Sequence, residues 1–114
     1  MKTILRGEIW RIRFDPIEGS EIGKTRPALV LQNDLGNRYA NTTIVAAITG
    51  RIKGLPTLVE VVPSKSNGLR QPCAVNLSHI RTVSQSRLIA RMGRLEDMYF
   101  PEIELAMLIS CGFR

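Results

Sequence analysis

The stretch "EIWRIRFDPIEGSEIGKTRPALVLQND", residues 8–34, changes character twice. Its first seven residues alternate, with Trp10, Ile12 and Phe14 on one side and Arg11 and Arg13 on the other, which is the period of a half-buried strand. Residues 15–24 carry two glycines among charged side chains and read as a loop. From Pro27 the chain turns apolar, and "PALVLQ" is short and continuous, as a strand covered on both faces would be. A charged loop set directly against a buried strand, with Arg26 and Pro27 at the junction, is what a binding site would need.

Similar signals continue downstream. "TTIVAAIT" (42–49) is a second continuous, β-branched run. "TLVEVVP" (57–63), "CAVNL" (73–77) and "IRTV" (80–83) follow at intervals of about ten residues, separated by "GRIKGLP" (50–56) and "KSNGLRQP" (65–72), which are rich in turn residues. "SRLIARMGRL" (86–95) fits either period and reads better as a strand. "NDLGNRY" (33–39) can hold one helical turn capped by Asn33. The spacing predicts a mainly β chain folded as a small antiparallel barrel or sandwich. One helix closes it, within "LEDMYFPEIELAMLISCG" (95–112): acidic residues crowd its first turns, Pro101 suits the N-terminal end and Gly112 the C-terminal one. Ile103, Ala106, Met107 and Ser110 define a stripe that Leu105, Leu108 and Ile109 widen. So broad an apolar surface needs more than one thing to pack against: the domain beneath is one, and a second subunit is the other candidate.

Composition bounds the function. The 114 residues, 44% of them hydrophobic, suit one domain over 1–114 with a real core. The apolar runs are far shorter than the ~18 residues that span a bilayer. The N-terminus breaks at Arg6, too early for a signal-peptide core, so the expectation is a cytoplasmic protein with no membrane partner. Cys73 and Cys111 lack metal-site or redox spacing and read as reduced thiols. The net charge is +6, and four of the ten acids (Glu96, Asp97, Glu102, Glu104) cluster near the C-terminus. Residues 1–95 hold fifteen basic and six acidic side chains, or +9. Twelve of the sixteen cations are arginine, whose planar fork matches phosphate oxygens, and this suggests a nucleic-acid partner.

Elimination narrows the chemistry. Acids outside the C-terminal segment are scattered and His79 is the lone histidine, so neither a metal site nor a pair of acid/base histidines is expected. GxSxG, P-loop and GxGxxG patterns are missing. A nuclease built on this chain would have to work with arginine, hydroxyls, and a carboxylate or His79.

The run from Gly7 to Asp34, followed by "TTIVAAIT", closely resembles the MazF/PemK toxins, endoribonucleases of toxin–antitoxin systems. The shared pattern is a GE-hydrophobic-Trp strand (Gly7–Trp10), D-P-x-x-G-S-E-x-x-x-x-R-P (Asp15–Pro27), an apolar strand ending in Asn-Asp (Ala28–Asp34) and a strand ending in threonine (Ile44–Thr49). "LPTLVEV", "AVNLSHIRTV" and "RLIARMGRL" are similar in order and spacing, so the resemblance covers nearly the whole chain. It implies an SH3-like antiparallel barrel with a C-terminal helix, acting as a homodimer without metal or other cofactor. The implied activity is sequence-specific cleavage of single-stranded RNA, messenger RNA in particular, by its own 2′-hydroxyl, leaving a 5′-hydroxyl. The implied partner is a separate, acidic antitoxin.

Carried over residue by residue, the resemblance implies catalysis by Arg26 and Thr49 with Glu21 in the same pocket. Arg26 can grip the phosphate and meet its developing charge, and Thr49 can add a hydrogen bond. Arginine is too basic to take the proton readily, so Glu21 and His79 both stand as candidate bases. Ser20 and Lys24 of the 15–24 loop, Asn33 at a strand end, and His79, where relatives often carry a base-reading glutamine, are the expected RNA contacts. Two rivals are weaker. Gyrase-poisoning toxins of similar fold end in Trp-Gly-Ile, whereas this chain ends "SCGFR"; an SH3-like peptide adaptor would need more aromatics than the chain carries.

Overall fold

The computed structural model describes residues 2–14 and 24–114. Six strands form one antiparallel sheet: β1 (Glu8–Arg13), β2 (Thr25–Val30), β3 (Thr42–Thr49), β4 (Leu58–Val61), β5 (Cys73–Ser84) and β6 (Leu88–Arg94). Their spatial order is β4-β5-β3-β2-β1-β6. Helix α1 (Asp34–Tyr39) lies between β2 and β3, and helix α2 (Phe100–Ser110) closes the chain. The strand reading of 86–95 holds as β6, and the helical turn capped by Asn33 holds as α1, where Asn33 Oδ1 accepts from Gly36 N at 2.7 Å.

The continuous apolar runs are explained by a core on each face of the sheet. Leu29 of β2 and Ala46 and Ile48 of β3 bury in one cluster with Ile9, Val75, Tyr99, Ile103 and Ala106. Their neighbours Ala28, Val30, Val45 and Ala47 bury in a second, with Trp10, Ile12, Phe14, Val83 and Leu88. β2 and β3 sit at the centre, so alternate side chains enter opposite cores and both must be apolar. β1 differs. Trp10, Ile12 and Phe14 face the second core as the alternation predicts, while on the α2 side Ile9 is buried and Arg11 and Arg13 are exposed. That face therefore passes from core at one end to cationic surface at the other.

Three features depart from the sequence reading. "CAVNL" and "IRTV" are one long strand, β5, rather than two. Between the pairs Ala46↔Ile80 and Ile48↔Val75, β5 takes five steps against two on β3. The slip resets the face that β5 presents, so Val75 and Leu77 bury on the α2 side and Val83 on the other, and the polar residues at the slip read as a break. Second, α2 begins at Phe100 after a 3-10 turn at Asp97–Tyr99, rather than near Leu95. Pro101 has no N–H to give the carbonyl four residues back, so it fits only in a first turn. Third, among the described residues the sheet is not closed into a full barrel, though with its closing helix it stays compatible with the expected small SH3-like antiparallel barrel: β4 and β6 stand at its two edges, and α2 packs on β4 and β5.

The far end of α2 follows its expected stop. Gly112 (φ +80°) donates to Ile109 O at 3.1 Å and Phe113 to Leu108 O at 2.8 Å, the paired bonds of a Schellman cap. Ile103 and Ala106 are buried, Met107, Leu108 and Ile109 half-buried, and Leu105 45% exposed, so part of the broad apolar surface stays uncovered by the chain's own domain. Cys73 is buried, which pushes its thiol pKa up; Cys111 is exposed, and the two are not bonded. Among the described residues no helix is long and apolar enough to cross a membrane.

Candidate active site

β2 and β3 hold their ladder through Val30↔Val45, Leu29↔Ala46 and Ala28↔Ala47. Continued by two residues, that register sets Arg26 across from Thr49. A cavity of about 830 Å³ opens there, and Arg26 and Thr49 both line it. β1 adds Arg11, and the segment between β4 and β5 adds Arg70 and Gln71. None of the described lining residues is acidic. Pro27, Ile48, Leu69 and Cys73 give the lining an apolar part. Arginines beside apolar groups, with no acidic residue among the described lining, make a region where a phosphate is held more strongly than in open water.

Thr49 is 8% exposed, and its hydroxyl oxygen accepts from the N–H of Arg51 at 3.2 Å. The hydroxyl proton is left to donate. Arg26 is half-buried and pairs in register with Ile12 of β1. Just before β2, Lys24 adopts a left-handed conformation (φ 63°), uncommon for a side chain with a Cβ, and its carbonyl accepts from Phe14 N at 2.8 Å. That bond links Phe14, just after β1, to Lys24, just before β2.

Glu8 opens β1. It is 5% exposed, and its Oε1 accepts from Trp10 Nε1 at 3.0 Å and from Leu5 N at 2.8 Å. Its Oε2 takes the Nε of Arg91 at 2.6 Å. Burial pushes this carboxyl up, but the bonds from Trp10, Leu5 and Arg91 and the Arg91 charge together hold it below the ordinary value. The Gly-Glu-hydrophobic-Trp element thus has a local physical purpose: the glutamate satisfies the indole N–H and the chain entering β1.

Of the expected site residues, the structure brings Arg26 and Thr49 to one cavity and sets Lys24 next to Thr25, which also lines it. Asn33 is elsewhere. It lies beyond the far end of β2 with its side chain engaged in capping α1, because an exposed Asn before a short helix is held by the orphan N–H groups of the first turn. His79 is half-buried on β5 at the register slip and does not line the cavity. Ser20 and Glu21 lie outside the described residues. Sequence reasoning missed Arg11, Arg70 and Gln71. Arg11 was legible as the polar phase of β1, whereas "GLRQP" carries only turn signals. Among the described residues no three of His, Cys, Asp and Glu come together as a metal site would require.

Comparison with known proteins follows the same line. Residues 5–110 match the family model for the PemK-like, MazF-like toxin of type II toxin–antitoxin systems. The chain is 41% identical over 109 residues to Endoribonuclease MazF of Staphylococcus saprophyticus, covering 94% of this chain and 90% of that protein. In structure it is similar to MazF of Deinococcus radiodurans, with a TM-score of 0.84, 25% identity and coverage of 98% and 99% of the two chains. It is also similar to the Mycobacterium tuberculosis toxin MazF-mt6, with a TM-score of 0.79, 27% identity and coverage of 92% and 96%. A match over nearly all of the sequence, carried on the same sheet and closing helix, places this chain in the family of PemK-like, MazF-like toxins of type II toxin–antitoxin systems.

Proposed function

We propose that this toxin is an endoribonuclease that cuts single-stranded RNA, messenger RNA in particular, in the cavity where β2 and β3 part, without a metal or other cofactor. The supporting observation is that Arg26 and Thr49 line one cavity with Arg11 and Arg70, and that no described lining residue is acidic. The RNA's own 2′-hydroxyl attacks the adjacent phosphorus to form a 2′,3′-cyclic phosphate, and the bond to the departing 5′-oxygen breaks as that oxygen takes a proton from solvent and leaves as a 5′-hydroxyl. Arg26 holds the phosphate with two hydrogen bonds and meets the charge that develops on its oxygens; the Thr49 hydroxyl donates one more. Glu21 takes the 2′-hydroxyl proton, since the other candidate, His79, stands outside the lining. Ser20, Lys24 and His79 bind the RNA on either side of the cut. The enzyme acts in the cytoplasm as a homodimer that uses the uncovered apolar part of α2, and an acidic antitoxin blocks it.

Purified protein incubated with a mixed RNA in excess EDTA tests the reading. Cleavage that persists and leaves 5′-hydroxyl ends is the expected result. Loss of activity to the chelator, restored by a divalent cation, would sink the metal-free mechanism.

A further inference from the structure

The segment between β4 and β5 is clamped by buried polar groups that do not themselves line the cavity. Asn67 has no exposed surface and uses both ends of its amide. Its Oδ1 accepts from Ser64 N and Leu69 N, each at 3.0 Å; its Nδ2 donates to Val62 O at 2.9 Å and Glu96 Oε1 at 3.1 Å. Ser64 Oγ donates to the second Glu96 oxygen at 2.6 Å, and Arg94 N donates to Ser66 O at 2.8 Å. Gly68 and Gly93 let the segment press on β6: a Cβ on Gly68 would collide with the backbone of Met92, and one on Gly93 with that of Ser66 and Asn67. The clamp buries Leu69 in the α2-side core and leaves Arg70 and Gln71 exposed at the cavity wall. The Gln71 amide nitrogen lies 3.8 Å from where a Cβ on Gly50 would stand, one residue past Thr49.

We propose that Arg70 and Gln71 form a second RNA subsite in this cavity. Arg70 grips a phosphate next to the one that is cut, and Gln71 hydrogen-bonds the base of the nucleotide beside it. The inference rests on the reading that this cavity cuts RNA. A volume of about 830 Å³ exceeds what one phosphate needs and suits a nucleotide-sized ligand. An arginine fork matches a phosphate, and a glutamine amide, both donor and acceptor, matches a base edge. Because the clamp orders the segment before RNA arrives, little entropy is lost when these contacts form. Gln71 beside Gly50 places the base contact one residue along the chain from Thr49, where it would influence which nucleotide flanks the cut.

The test uses a single-stranded RNA carrying 2′-O-methyl groups, which cannot be cut, titrated at several salt concentrations, alongside cleavage of a mixed RNA. Arg70→Ala is expected to weaken binding about five- to tenfold, to reduce the log–log salt slope by about 0.7, and to raise KM more than it lowers kcat. Arg70→Lys should recover most of the slope. Gln71→Ala should leave the slope alone and broaden the preference at the nucleotide flanking the cut. If the wild type cleaves but folded Arg70→Ala binds with its affinity and slope, or Gln71→Ala keeps the full preference, the corresponding half of the subsite is wrong while the cleavage reading stands. A wild type that neither binds nor cleaves RNA overturns the reading beneath both.

Discussion

Glu8 and Arg91 meet at 2.6 Å across the β1–β6 pair, one carboxylate nearly buried and its arginine half in solvent. The bond matters for acid stability. The folded carboxyl is held below its ordinary value of 4.5, so its contribution is complete above that pH and is lost as the pH falls below it. Glu96, held low chiefly by the hydrogen bond from Ser64, acts in the same direction. Urea unfolding of the wild type should therefore show stability falling on acidification below about pH 4.5. Glu8→Gln turns an amide donor toward Arg91 Nε and should cost roughly 1–3 kcal/mol at pH 7. It should also flatten the acid limb, because one of the carboxyls that the fold holds low is gone. A variant that declines as steeply as the wild type would remove Glu8 from the account.

Arg26 and Thr49 stand at or beyond the last pair of the β2–β3 ladder, and neither belongs to a core cluster. Arg26→Ala and Thr49→Ala should each lower the cleavage rate on the order of a hundredfold or more while melting near the wild type, since each removes a donor aimed at developing charge. Single-turnover cleavage and thermal unfolding measured side by side decide it. Near-normal cleavage by either variant would reduce that residue to a strand-end role.

The strands were legible because their burial is simple. Trp10, Ile12 and Phe14 alternate over one core, and Ala28–Val30 and Val45–Ile48 are apolar throughout because they sit between two. The β5 slip was not legible, since it resets facing through register, a property of two strands together. Arg26 and Thr49 were found through a motif, and their meeting follows from a pairing register that neither residue encodes alone. Arg70 and Gln71 were invisible for a related reason: their placement depends on Asn67, whose four partners span residues 62–96.

That clamp makes Gly93 a sensitive position. A Cβ there would enter the backbone of Ser66 and Asn67, which cannot move without breaking the Asn67 bonds. Gly93→Ala should destabilise by at least about 3 kcal/mol, against less than about 1 kcal/mol for Gly54→Ala. Gly54 has open space around it and bears only the strain of its left-handed backbone. Equal melting temperatures for the two variants would show that the contact with β6 yields to a Cβ without loss of stability.

Asn33 separates a structural role from the RNA contact the sequence suggested. Its Oδ1 caps α1 at 2.7 Å, and α1 lies beyond the end of β2 that is remote from the cavity. Asn33→Ala should cost about 1 kcal/mol of stability and leave RNA affinity within twofold of the wild type. Weaker RNA binding with unchanged melting would restore the contact and extend the RNA path along the whole of β2.

The resemblance implies an antitoxin as partner, and charge suggests how it would bind. With +9 on residues 1–95 and arginines concentrated in the cavity, an acidic segment that folds on binding would meet the same field as the RNA backbone. Such a peptide should displace the uncleavable RNA, and both affinities should fall as salt rises, since each ligand releases ions from the same cations. Arg70→Ala and Arg11→Ala should weaken both together if the surfaces overlap. Titration of peptide into a preformed RNA complex, followed by fluorescence anisotropy of the RNA, reads the competition. If peptide and RNA bind the toxin together at full stoichiometry, occlusion is excluded, and inhibition would have to act by shifting residues 15–24.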